Sequence, residues 1–198
     1  MYLPKPSADF EPVPAGTYLG ICVRVIDCGT QPTRFDGKFK HQVRLSWELP
    51  FEHMKDGRPF TISKTYSWTM HKRSSLRQHL EAWRGQPFAE KDFGPTGFNI
   101  RNVLGKSCMA TVAQEERNGE TFSFVSAIGK TIKGQKVPGA YNKLIYVWLD
   151  SQLFDRDAFE SLHEKTREQI AKSPEYGAIV NGKPPPTSLA DELDDEIL

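Results

Sequence analysis

Residues 38–49 read Lys-Phe-Lys-His-Gln-Val-Arg-Leu-Ser-Trp-Glu-Leu. Phe39, His41, Val43, Leu45, Trp47 and Leu49 fall on every second position, and Lys38, Lys40, Gln42, Arg44, Ser46 and Glu48 fill the places between. Successive side chains of an extended chain point to opposite faces, so this period of two specifies a strand with one apolar and one polar, basic face. The segments on either side repeat the pattern. Over 17–27, Leu19, Ile21, Val23 and Val25 alternate with Tyr18, Gly20, Cys22 and Arg24. Over 60–70, Phe60, Ile62, Lys64, Tyr66 and Trp68 face away from Thr61, Ser63, Thr65, Ser67 and Thr69. Turn residues separate the three: Pro32, Asp36 and Gly37 in the first gap and Asp56-Gly57 in the second.

The period then changes. Leu76, Leu80 and Trp83 are spaced i, i+4, i+7, one apolar helical stripe, with Ser74 or Ser75 as N-cap and Gly85 as C-cap. A loop through Pro87 and Pro95 and a short turn over 100–104 lead to strands at 107–114 and 121–128, joined by Arg117-Asn118-Gly119. The Asn-Gly pair is a strong hairpin signal. Three strands, a helix and two strands is the layout of a five-stranded OB-fold barrel with one helix between strands 3 and 4. Beyond it the pattern predicts an edge strand over 144–149 and a helix over 154–172. That helix carries Phe159, Leu162, Thr166 and Ile170 on one narrow face, and Pro174 ends it. The expected organisation is an extended, proline-punctuated arm over 1–15 and the barrel over 16–150. A helical extension over 151–180 and a disordered acidic tail over 181–198 follow.

Composition limits the function. The chain has 198 residues, 38% hydrophobic and 11% aromatic, which suits a soluble domain with appendages. No apolar run approaches the about 18 residues that span a bilayer, and the first residues lack the layout of a signal peptide. Neither secretion nor membrane insertion is expected, and the location is cytoplasmic. Cys22, Cys28 and Cys108 are an odd number without a Cys-x-x-Cys pair, so buried thiols are expected rather than disulfides or zinc. The net charge of +1 hides a polarised molecule. Residues 1–150 hold 21 Lys+Arg against 14 Asp+Glu, a balance of +7, and residues 151–198 hold 5 against 11, a balance of −6. A basic body asks for a polyanion.

Signatures of catalysis are missing. Gly105-Lys106-Ser107 and Gly129-Lys130-Thr131 each match the end of a phosphate-binding loop, but the motif's earlier glycine is replaced by Ile100 and Phe124. Both triplets are read as turns. The five histidines lack ligand spacing and the body's acids do not cluster, so no metal, cofactor or catalytic residue is expected. Basic and aromatic residues do interleave. Lys38, Lys40 and Arg44 share a face beside a loop with Arg34 and Phe35, and Lys64, Tyr66 and Trp68 come together on the third strand. Single strands need cations for phosphates and rings for bases, and the second and third strands of an OB-fold supply that platform. Arg34, Lys38, Lys40, Arg44 and Lys64 are therefore candidate phosphate contacts, and Phe35, Tyr66 and Trp68 candidate stacking rings. Trp47, on the aliphatic face, is read as core.

The segment 189–198, Leu-Ala-Asp-Glu-Leu-Asp-Asp-Glu-Ile-Leu, on its Pro184-Pro185-Pro186 tether, is similar to the acidic tips of bacterial and phage single-stranded DNA-binding proteins. The resemblance implies that Asp191, Glu192, Asp194, Asp195 and Glu196, with Ile197 and Leu198, dock on replication or recombination proteins and compete with DNA for the basic groove. The segments 64–69, 75–85 and 98–106, with Leu-Glu-Ala-Trp-Arg-Gly over 80–85 as the most specific part, resemble a family of small phage-encoded proteins of replication modules. That family implies an OB-fold binder of single-stranded DNA over about residues 14–150, in the cytoplasm of an infected or lysogenic bacterial host. It contributes no binding residue. A homodimer through an unpaired edge strand fits the pattern. A non-enzymatic OB-fold module acting on a host protein is the competing expectation, and a nuclease the weaker third.

Overall fold

The computed structural model describes residues 11–33 and 38–182. Three strands, β1 (Gly16–Pro32), β2 (Phe39–His53) and β3 (Pro59–Ser67), precede helix α1 (Ser75–Arg84). The hairpin of β4 (Ser107–Arg117) and β5 (Glu120–Gly129), the short β6 (Ile145–Val147), and helices α2 (Arg156–Glu160), α3 (Glu164–Ala171) and α4 (Pro174–Val180) follow. The strand order is β3-β2-β1-β4-β5 with all neighbours antiparallel. β6 pairs with β1 in parallel, off that path.

The chain is thus mostly β, as expected, and its six-stranded sheet is open. β3 and β5 are its edges, and no ladder joins them among the described residues. Side chains fill the seam instead. Lys64 Nζ donates to the Val125 carbonyl at 2.8 Å. His79 stands between the Tyr66 hydroxyl, 2.9 Å from its Nδ1, and a backbone hydrogen bond to Ser126. Paired strands lie about 4.8 Å apart, a spacing that leaves no room for interposed side chains.

Local structure follows the expected chemistry in several places. Ser74 accepts the Arg77 N–H at the start of α1, and Gly85 closes the helix at φ 72°. Asn118 and Gly119 both have positive φ, as a two-residue hairpin turn demands. β1 runs to 17 residues because register shifts at Cys22/Arg24 and Asp27/Gly29 bend it. Its first part pairs with β4 and its middle with β6. β6 takes the place beside β1 that β4 vacates and, among the described residues, pairs on that side alone, the edge strand expected over 144–149.

Adjacent residues of β1 serve two cores. Val25 joins Leu45, Trp47, Ile62 and Tyr66 with Leu80 and Trp83 of α1. Ile26 and Cys28 join Val147, Leu149, Phe159, Leu162 and Ile170 on the opposite side. The C-terminal helices thus cover part of the outer face of β1 and β2. Ser46 and Glu48, on the polar face of β2, are buried too, Ser46 with its hydroxyl 2.8 Å from that of Ser63. Glu48 accepts the backbone N–H groups of Tyr141 and Asn142 at 2.8 and 2.7 Å, which fixes that loop.

The single helix expected over 154–172 is corrected to α2 and α3, with α4 beyond. Asp155, His163 and Ser173 each accept a backbone N–H at a helix start, and these caps divide the run. Pro174 opens α4 instead of ending a helix, at a first-turn position whose N–H has no helical partner in any case. All three cysteines are buried and unbonded. Burial pushes the thiols of Cys22 and Cys28 up to about 12 and about 11, which makes them inert packing groups. Among the described residues no helix is long and apolar enough to cross a membrane.

Candidate nucleic-acid interface

The structure separates the residues that spacing had grouped. Arg34 and Phe35 lie outside the described residues, as do Asp191, Glu192, Asp194, Asp195, Glu196, Ile197 and Leu198. Lys38 and Lys40 are exposed where β2 begins. Arg44 is held elsewhere. Its guanidinium donates to Thr65 at 3.1 Å, to Thr166 at 3.2 Å and to the Gln169 amide at 2.7 Å, which ties β2 to α3. Lys64 lies along the seam, where burial lowers its pKa. Tyr66 is 2% exposed, and its hydroxyl, pushed up by burial, is occupied with His79. Burial, with the Lys64 charge behind it, brings His79 down to about 4, so the ring is neutral at ordinary pH. Its Nδ1 then accepts the Tyr66 proton. Trp47 is fully buried, as its face implies.

Trp68 has different surroundings. It follows β3 directly, and its N–H donates to the His41 carbonyl at 2.7 Å. Its ring meets Trp148 edge to face, centroids 5.0 Å apart at 72°. Trp148 in turn lies parallel to Tyr146, 6.0 Å away at 5°. The Arg101 guanidinium sits 4.9 Å from the centre of the Tyr146 ring. All three rings are half-buried and packed against the main core. The result is a rigid row of aromatic surface with a cation at one end.

Sequence reasoning reached only Trp68 of this row. Tyr146 on β6 and Trp148 just past its end sit two apart along extended chain and so share a face, set by the pairing of Val25 with Tyr146. Arg101 is carried by the single turn of 3-10 helix at Ile100–Val103, which is capped by Asn99 and anchored by buried Ile100 and Val103. The alternation of Tyr146 and Trp148 with Ile145 and Val147 was a visible signal. Their meeting with Trp68 was not, since the residues are some eighty positions apart.

Behind the row lies a buried ionic cluster. His41 Nε2 is 2.6 Å from Asp27 Oδ1, and its Nδ1 is 3.6 Å from Glu175 Oε1. Asp27 also accepts the N–H of Gly29 at 2.8 Å and of Leu149, next to Trp148, at 3.2 Å. Glu175 accepts the Thr30 N–H at 2.8 Å and its hydroxyl at 2.5 Å. Burial disfavours the imidazolium, but the Asp27 hydrogen bond and the charges of Asp27 and Glu175 outweigh it and raise the His41 pKa. The His41 ring thus ties β1, β2 and α4 together and indirectly fixes the end of β6.

Half-exposed rings beside a cation have the chemistry to bind flat π-systems. The row offers no nucleophile paired with a base. Among the described residues no three His, Cys, Asp or Glu side chains are grouped to hold a metal ion. No protein-family model matches the chain, and no curated protein matches it either.

Proposed function

We propose that this chain is a single-stranded DNA-binding protein that takes the strand without reading its sequence and protects it during phage replication or recombination. The observation that carries the reading is the Trp68–Trp148–Tyr146 row ending at Arg101. Every base has a flat face, so stacking tolerates any sequence, at about 1–3 kcal/mol per base. Rings already immobilised against a core lose little further freedom on binding. Exposed cations lie near the Trp68 end of this path: Lys72 and Arg73 follow Trp68 in sequence, and Lys38 and Lys40 precede His41, whose carbonyl accepts the Trp68 N–H.

The strand order supports an OB-fold reading. β3-β2-β1-β4-β5 with a helix between β3 and β4 is the order of that barrel opened at its β3–β5 seam. Because Arg44 is engaged by α3, the strand runs past the end of β3 and across β6 rather than over the middle of β2. The acidic segment 191–198 then recruits replication or recombination proteins, a role that rests on its charge and its apolar end, Ile197 and Leu198.

Fluorescence anisotropy with labelled oligo-thymidylate, its duplex and poly-uridylate, over a salt series, tests this. Single strands should bind over a site of about 4–16 nucleotides, more tightly than duplex, with affinity falling as salt rises. Equal or tighter binding to blunt duplex, or no salt-dependent binding at all, overturns the reading. The second outcome leaves the chain as a protein-interaction module.

A further inference from the structure

The two Gly-Lys-Ser/Thr triplets converge in space. β4 begins and β5 ends side by side, with Met109 opposite Gly129. This brings the Ser107 hydroxyl 2.9 Å from that of Thr131. Both hydroxyl residues and both lysines, Lys106 and Lys130, line one pocket of about 340 Å³. Trp83 and Phe98 contribute apolar walls, and Arg84 adds a third cation, with no acidic residue in the lining. The Trp83 ring is held in place by its indole N–H, which donates to the Ser107 carbonyl at 2.7 Å. The Arg84 guanidinium lies over Phe88 and Phe98 at 4.3 and 5.5 Å from their centres. Asp92 is 3.4 Å away from it, a loose partner. Lys130 is placed by the helix end. The Lys130 stem lies 3.0 Å from where a Cβ would stand on Gly85, whose φ of 72° calls for glycine, so the stem crosses the C-terminus of α1, where a positive charge is favoured.

We infer that this pocket binds a nucleoside phosphate, its ring against Trp83 and Phe98 and its phosphate between Lys106, Lys130 and the paired hydroxyls. A volume near the lower end of the about 300–1,000 Å³ typical of ligand pockets fits one nucleotide and not two. The turn at Ile100–Val103 connects the pocket to the aromatic row. Arg101 faces Tyr146, while the next residues, Asn102 and Val103, line the pocket. The same chemistry is offered by a free nucleotide and by the phosphorylated end of a bound strand. Occupancy by a free nucleotide does not depend on the row binding DNA.

Calorimetry on the full chain tests this with thymidine 5′-monophosphate, thymidine, inorganic phosphate, and a short oligo-thymidylate with and without a 5′-phosphate. The variant is Lys106→Ala with Lys130→Ala, two exposed positions whose loss leaves the core intact. Trp148→Ala serves as the control on the row. The monophosphate should bind at least about tenfold more tightly than thymidine or phosphate alone, and the double variant should lose about tenfold or more. Trp148→Ala should leave monophosphate binding unchanged while weakening the oligonucleotide. That result would show that the pocket and the row fail independently. If the 5′-phosphate strengthens the oligonucleotide in the wild type and not in the double variant, the ligand is a strand end. If only the monophosphate responds, it is a free nucleotide. The inference is overturned if neither ligand distinguishes wild type from double variant, or if thymidine binds as well as its monophosphate.

Discussion

His41→Gln removes the charge that Asp27 and Glu175 share and leaves a neutral side chain of similar reach. The two carboxylates are 1% and 7% exposed. Breaking a buried ion pair by removing one partner costs about 3–5 kcal/mol. Here the cost is smaller, about 2–3 kcal/mol, since Asp27 and Glu175 retain backbone N–H donors and the His41 side chain is itself 20% exposed. For a chain of this size that corresponds to a fall of about 5–10 °C in Tm at low pH. The pH dependence identifies the cause. The folded chain holds the His41 proton more tightly than the unfolded chain does. Its contribution is fully present below the unfolded pKa of about 6.5 and is lost as pH rises through the folded value. Thermal unfolding of wild type and variant should therefore differ most at about pH 5.5 and converge as pH rises from there through the folded value. Hydrogen exchange should place the loosening in β6 and α4, because Leu149 and Thr30 donate to the two carboxylates. A Tm difference that stays constant across that range would refute the argument, because a role in packing alone has no proton to lose.

Trp148→Ala should weaken oligo-thymidylate binding by about 1–3 kcal/mol, read by anisotropy, with circular dichroism unchanged. Replacing Lys38 and Lys40 by alanine should flatten the slope of log affinity against log salt by about 1.4, the release expected for two single-strand phosphates. Lys64→Ala should instead lower Tm and leave that slope alone, since its ammonium group is engaged with the Val125 carbonyl. Deleting residues 187–198, which carry five acids and no Lys or Arg, should raise single-strand affinity at low salt and not at high salt. An unchanged affinity at low salt would reduce the tail to a solubilising terminus.

Local chemistry was legible where it acts alone. The period-two runs, the Ser74 and Gly85 caps and the Asn118-Gly119 turn each depend on neighbours within a few residues, and each folds as its chemistry requires. The stripe of Leu76, Leu80 and Trp83 likewise enters the core. Alternation also sorted Trp47 inside. It went wrong where a second layer arrives from far along the chain. Arg44 and Glu48 read as a solvated face, and the residues that engage them lie a hundred positions later. Tyr66 and Lys64 read as a platform because an alternating face cannot say whether it lines a core or a surface.

Composition and periodicity by themselves determined a mostly β chain with a basic body, an acidic end and one capped helix between its third and fourth strands. They do so because charge is additive and secondary structure is set by backbone geometry repeating over two or 3.6 residues. Which cations are spent on the fold, which rings are left facing outward, and whether two phosphate-loop remnants meet were decided by tertiary packing. Trp68 reaches Trp148, Arg44 reaches Gln169 and Ser107 reaches Thr131 only once β1 bends and the strands on either side of it are drawn together. Those distances follow from the whole sheet and leave no mark on any local stretch of sequence.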